Sequence, residues 1–159
     1  MLNLKIACFV TLSMLAACSV AQEAPTAVLT LPGKTAVLGS KIKAKLKVHF
    51  APGMHGYQNP PSQKYQIPVA VEAADKNTKL GKIEYPKGVE LMVGGEKALA
   101  YEGDIEIPVE IVLLTKKQGK LKIQLKFKYQ QCNDQSCFPP GEIVATADLE
   151  LKPAPKPKK

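Results

Sequence analysis

The sequence predicts an all-β domain built as an antiparallel sandwich. Three observations carry that prediction. Long runs alternate apolar and polar residues with a period of two, as in Lys41–Phe50 and Lys120–Tyr129. Gly- and Pro-containing turns separate the runs. No stretch keeps a helical period. Short strands with one buried face, punctuated by such turns, pack as two sheets rather than as a bundle.

Taken in order, Thr26–Leu31 is a first strand ended by Pro32-Gly33. Lys41–Phe50 turns Ile42, Ala44, Leu46, Val48 and Phe50 inward and Lys41, Lys43, Lys45 and Lys47 outward. His49 falls on the outer side. Ala51–Gln63, with three prolines and two glycines, reads as a loop carrying Met54, His55 and Tyr57. Tyr65–Ala73 returns to strand, with Pro68 marking an edge or a bulge. Asp75–Thr78 is a turn, Leu80–Tyr85 a strand, and Leu91–Gly95 a flexible apolar loop before a strand at Ala98–Tyr101. Asp104–Leu114 and Lys120–Tyr129 are long strands, and Glu142–Leu151 closes the domain. The outer faces are lysine-rich at 41–47 and 120–128 and acidic at 104–110 and 142–150. Opposite charges across neighbouring strands contribute roughly 0.2–1 kcal/mol each, which helps choose neighbours.

The 159 residues suffice for one domain with one modest core. Residues 1–17 read as a secretory leader: Lys5 supplies the positive start, and Ile6–Ala17 an apolar run too short to span a bilayer as a helix. Leu15-Ala16-Ala17-Cys18 resembles the lipobox of bacterial lipoproteins, so Cys18 is the expected lipidation site and membrane anchor. Cleavage after Ser19-Val20-Ala21 is the rival. Residues 18–25 then form a tether, 26–152 the domain, and 153–159 a disordered Pro/Lys tail. Export places the chain where cysteine pairs persist as disulfides.

The net charge is +8, and every basic residue is lysine. Loss of Lys5 with the leader leaves 21 basic against 14 acidic residues, or +7. Readers of nucleic acid lean on arginine and stacked aromatics; these lysines instead alternate along strands as a solvated sheet face. No nucleic-acid partner is expected. Met54, His55 and Met92 carry groups that suit copper but lie apart in sequence, and neither a metal nor a cofactor is assigned.

Outside the leader and Cys18, two cysteines remain, Cys132 and Cys137. Asn133, Asp134, Gln135 and Ser136 lie between them. Five extended residues span roughly 17 Å, so a bond between the cysteines requires the chain to reverse, which Asn, Asp and Ser favour through local hydrogen bonds. Closing so small a ring stabilises a fold by only about 2 kcal/mol. That modest return raises thiol–disulfide exchange beside the plainer reading of a structural hairpin clip.

The segment Tyr129-Gln130-Gln131-Cys132-Asn133-Asp134-Gln135-Ser136-Cys137-Phe138-Pro139-Pro140 resembles the redox motif of the N-terminal periplasmic domain of the thiol:disulfide interchange protein DsbD. Gly53–Pro61, Ile67-Pro68, Tyr85–Val89 and Tyr101–Val109 resemble further family segments in the same order, so the likeness covers about residues 35–151. The resemblance implies an immunoglobulin-like fold. It implies that Cys137 forms the mixed disulfide with a thioredoxin-like partner and that Cys132 resolves it. It also implies a cap over the pair near Leu91–Gly95; Met92, Val93 and two glycines stand where better-known members carry an aromatic cap, and the cysteine spacing is one residue shorter. The transmembrane electron carrier and thioredoxin-like domain of DsbD have no counterpart in these residues, so a membrane electron donor on a separate chain is expected. Around the pair, Tyr129, Asp134, Phe138, Met92, His55 and Tyr57 are the candidate shell. Asp134 would disfavour a nearby thiolate, and Lys126 or Lys128 would favour one if close. Tyr129 is in phase with the inner row and reads as core. The alternative function is a non-catalytic envelope binding module in which the pair is only a clip.

Overall fold

A computed structural model describes residues 23–154. The leader, Cys18, most of the tether and the last five residues of the tail lie outside the described residues. Among those described there are twelve strands and no helix. They are β1 (Thr26–Thr30), β2 (Thr35–Val37), β3 (Lys41–His49), β4 (His55–Tyr57), β5 (Ala70–Ala73), β6 (Thr78–Ile83), β7 (Val89–Val93), β8 (Glu96–Glu102), β9 (Asp104–Leu113), β10 (Gly119–Tyr129), β11 (Gln131–Cys132) and β12 (Gly141–Lys152). Three four-stranded sheets result, ordered β1-β3-β9-β6, β2-β12-β10-β5 and β11-β4-β8-β7.

The first two sheets make the sandwich, because each long strand has one apolar face to bury. Ile42, Leu46 and Val48 of β3, Ile107, Val109 and Ile111 of β9, Ile123, Leu125 and Phe127 of β10, and Ala145, Leu149 and Leu151 of β12 share one core. The outer charges follow the register. Lysine-faced β3 pairs along its length with acidic β9, and lysine-faced β10 with acidic β12. Lys45 meets Glu106 at 2.7 Å and Lys126 meets Glu142 at 3.0 Å. Exposed pairs of this kind add little stability each; they help select which strands lie side by side. Pro108 lacks an N–H inside central strand β9, and the neighbouring strand β6 shifts register between Leu80 and Ile83 beside it, the irregularity that a proline in a ladder demands.

The third sheet departs most from the sequence reading. The stretch expected as a loop at Ala51–Gln63 contains β4. The strand expected over Tyr65–Ala73 is confined to Ala70–Ala73, because Pro68 offers no donor and joins Tyr57 only through a single bridge. The apolar loop expected at Leu91–Gly95 is instead β7 plus a tight turn. Gly94 and Gly95 have φ of 58° and 85°, the pair of positive values that a type I′ hairpin needs, so β7 and β8 form a regular hairpin.

One face of this sheet lies on the sandwich core. Tyr101 of β8 is fully buried there, and its hydroxyl donates to the Pro86 carbonyl at 2.7 Å. Gly56 of β4 has no side chain because none fits: an added Cβ would stand 2.8 Å from Phe50 Cζ and 3.2 Å from Val69 Cγ1. The closeness of β4 to the core therefore depends on that glycine. Gly56→Ala is expected to lower stability by about 1–3 kcal/mol through overpacking, read as a fall in the urea midpoint. Gly33→Ala, with open space around the new methyl, is expected to stay within about 0.5 kcal/mol of the parent.

Candidate functional site

The cysteines sit where a short hairpin joins the third sheet. Asn133 N–H donates to the Ser136 carbonyl at 2.9 Å, and Phe138 N–H to the Gln131 carbonyl at 2.8 Å. Cys132 and Cys137 face each other between these two bonds. Opposed residues that do not exchange backbone bonds bring their side chains closest, and here the two sulfurs are joined as a disulfide with Cα atoms 4.0 Å apart. Neither Asp134 nor Gln135 at the tip has a positive φ, so this is not one of the primed turns. Asn133 supplies the closure instead: its Oδ1 accepts from the N–H groups of Gln135 at 2.9 Å and Ser136 at 2.8 Å.

The two sulfurs are unequal. Cys132 is fully buried, packed with Tyr57, Ala98 and Val93 in a small cluster of its own. Cys137 is exposed and opens onto a cleft of about 340 Å³ shared with Tyr57, Tyr65, Gln66, Val93 and Gly94. Tyr57 Oη lies 3.7 Å from Cys137 Sγ. Burial pushes the Tyr57 phenol above its ordinary range, so it stays protonated and its O–H is the donor toward sulfur.

Register continues the site away from the solvent. His55 of β4 pairs with Cys132 of β11 on one side and Glu102 of β8 on the other. Directly opposed residues project to the same face, so Glu102, His55, Cys132 and Cys137 form a rank across the sheet. His55 is 2% exposed, and its Nε2 has no hydrogen-bond partner among the described residues. Its ring meets Tyr57 edge-on at 6.1 Å.

The other candidates are placed less centrally. Asp134 is exposed at the hairpin tip. Phe138 is half-buried and held by its backbone, its carbonyl accepting from Gln130 Nε2 at 3.1 Å. Tyr129 stacks on Phe127 at 5.9 Å and belongs to the sandwich core. Met92 is 59% exposed and does not line the cleft; its neighbours Val93 and Gly94, at the tip of the β7–β8 hairpin, border it instead. Lys126 and Lys128 are engaged by Glu142 and Glu72 rather than by the cysteines. Tyr65, whose hydroxyl donates to the Glu96 carboxylate, was not legible as a cleft residue, because the alternation of Tyr65 with Ile67 imitates a strand. The burial of His55 was equally hidden, since three residues of strand carry no period.

Two predictions follow from this geometry. Burial lowers the His55 pKa from 6.5, while Asp134 and then Glu102 act to raise it. The unfolded chain therefore binds this proton more readily than the folded one. The contribution of His55 to stability is complete above about pH 6.5 and declines as the pH falls below that value toward the lowered folded one. Urea midpoints between pH 7 and 5 are expected to fall less steeply in His55→Gln than in the parent; parallel profiles refute this. The second concerns the turn. Asn133→Ala removes two hydrogen bonds that hold the cysteines face to face, a loss of about 1 kcal/mol. Equilibration with glutathione is expected to show a shift of roughly five-fold toward the dithiol.

A family model described as "Thiol:disulfide interchange protein DsbD, N-terminal" matches residues 27–149. No curated protein matches the chain. Among solved structures, the N-terminal periplasmic domain of ScsB from Proteus mirabilis is similar, with a TM-score of 0.57 at 16% identity, over 83% of this chain and 49% of that one. This chain thus spans about half the length of that structure. The likeness is one of fold, the immunoglobulin-like sandwich. Two Neisseria meningitidis structures also match, each at 17% identity. The reduced DsbD N-terminal domain has a TM-score of 0.45, over 68% of this chain and 78% of that one. The complex of the DsbD and PilB N-terminal domains has a TM-score of 0.44, over 76% and 80%.

Proposed function

The chain belongs to the family of DsbD N-terminal domains, a family of thiol–disulfide exchange, and we propose that it passes reducing equivalents between thioredoxin-like envelope proteins through Cys132 and Cys137. The observation that carries this reading is the inequality of the two sulfurs. Exchange needs one sulfur within reach of a partner thiolate and a second to resolve the mixed disulfide. Cys137 is exposed beside a cleft and Cys132 is fully buried behind it.

In the loading direction, a partner thiolate attacks Cys137 Sγ. A bond forms between the partner sulfur and Cys137, the Cys132–Cys137 bond breaks, and Cys132 leaves with the electron pair and takes up a proton. The partner's second thiol then attacks its own sulfur in the mixed disulfide and expels Cys137 as a thiolate, which the Tyr57 O–H stabilises. The domain has gained two electrons and the partner a disulfide. Unloading is the reverse: Cys137 attacks an acceptor disulfide, and Cys132 resolves the intermediate. The electrons would come from a membrane donor on a separate chain. Periplasmic export by the leader at residues 1–17, with a lipid anchor at Cys18, completes the proposal.

Trapping tests it. Cys132→Ala leaves Cys137 without its resolving partner and is expected to accumulate a mixed disulfide with a thioredoxin-like protein; Cys137→Ala, leaving only the buried sulfur, is expected to accumulate none. Absence of the adduct from Cys132→Ala would sink the relay. A reduction potential below about −300 mV, the range of structural disulfides, would favour the clip of a non-catalytic binding module instead.

A further inference from the structure

Resolution of the mixed disulfide presents a chemical difficulty at Cys132. The nucleophile in exchange is the thiolate, yet Cys132 is 0% exposed. A buried thiol holds its proton more tightly than one in water. Water reaches it poorly, and neither Lys126 nor Lys128 is free to help, being engaged by Glu142 and Glu72.

One unused group stands beside it. His55 is opposed to Cys132 in the β4–β11 register, where Cβ atoms lie about 4.5–5.5 Å apart. It is itself 2% exposed, and its Nε2 has no hydrogen-bond partner among the described residues. A buried nitrogen without a partner is costly and is a feature that calls for a role. We infer that His55 is the proton acceptor for Cys132 when that thiol resolves the mixed disulfide on Cys137.

This inference rests on the exchange reading above and assigns one residue a part in it. In the tautomer with its proton on Nδ1, His55 offers the Nε2 lone pair. Cys132 S–H gives its proton to Nε2 as its sulfur attacks Cys137 Sγ. The Cys132–Cys137 bond forms, the bond from Cys137 to the partner sulfur breaks, and the electron pair leaves on the partner as a thiolate. The imidazolium then returns its proton to solvent or to that thiolate. The groups that face His55 suit both states. Burial on β4 beside Tyr57 keeps the ring neutral and ready, while Glu102 from β8 and Asp134 from the cysteine hairpin are the carboxylates that favour the cation once formed.

The test uses the fully reduced protein and dithiobis(nitrobenzoate). Cys137 attacks the reagent and releases one thionitrobenzoate; Cys132 then closes the ring and releases the second. At high reagent the second step is first-order and independent of reagent concentration. In His55→Gln that step is expected to slow about ten-fold or more at pH 7. It should approach the parent rate only well above about pH 8.5, the ordinary value for a thiol, because burial raises that of Cys132. The first release should be little changed. An unaltered second step at pH 7 overturns the role of His55. Failure of the parent to release a second equivalent at all overturns the exchange reading itself. Nitrogen chemical shifts of His55 in the reduced parent protein give an answer that needs no variant: an unprotonated Nε2 supports the inference, and a protonated Nε2 in the neutral ring overturns it.

Discussion

The contact between the Gly56 backbone and the rings and methyls of Phe50 and Val69 is the constraint on which the site depends. It lets β4 lie flat on the sandwich core with no side chain between them. With that face committed to packing, the residues on either side of Gly56 must project the other way. Those residues are His55, which is opposed to Cys132 in the register, and Tyr57, whose hydroxyl lies against Cys137 Sγ. β11 is only two residues long and sends only Cys132 into a small apolar cluster apart from the main core. It is placed by pairing with β4 and by the Gln131 side chain, which donates to the Glu23 carbonyl at 3.0 Å. The position of Cys132 is thus inherited from a packing decision one strand away.

What the sequence revealed follows from how many residues each element contains. Strands of nine to twelve residues, β3, β9, β10 and β12, show enough alternation to be read directly. Their charge pattern agrees with the neighbours they take. The cysteine hairpin was legible from residue chemistry alone. The third sheet was not. Three residues of β4 and two of β11 show no period, and they are strands only because neighbouring strands supply their hydrogen bonds. Tyr65 and Ile67 gave the opposite error, alternating without a ladder to join. Gly94 and Gly95 suggested slackness, whereas their positive φ values make the β7–β8 hairpin tight. The shell around the cysteines was therefore visible as residue types and invisible as a rank: nothing local to Met54-His55-Gly56 says that it will lie against Gln131-Cys132.

The site divides its work between a wet and a dry part of one sheet face. Cys137, Tyr57 and Tyr65 face the cleft, where a partner sulfur can arrive. Cys132 and His55 lie behind, where charge is expensive and proton movement must be local. Glu102 and Asp134 stand at the boundary, near enough to favour a cation and exposed enough to stay hydrated. The lysines that dominate the composition take no part in this. Many stand on outward strand faces and in turns, and some, such as Lys45 and Lys126, pair with carboxylates on adjacent strands.

The covalent ring at the cysteines encloses only a hairpin tip and crosses no sheet-to-sheet boundary. The sandwich is closed by apolar side chains that never touch it. Opening the ring consequently exposes little apolar surface, and the heat capacity that accompanies such exposure changes little. The reduced and oxidised forms are then expected to share this fold and to unfold with similar changes in heat capacity. If the domain relays electrons as proposed, it can give them up without loosening its frame, and its affinity for electrons can drift through changes at one hairpin while the scaffold beneath is left alone.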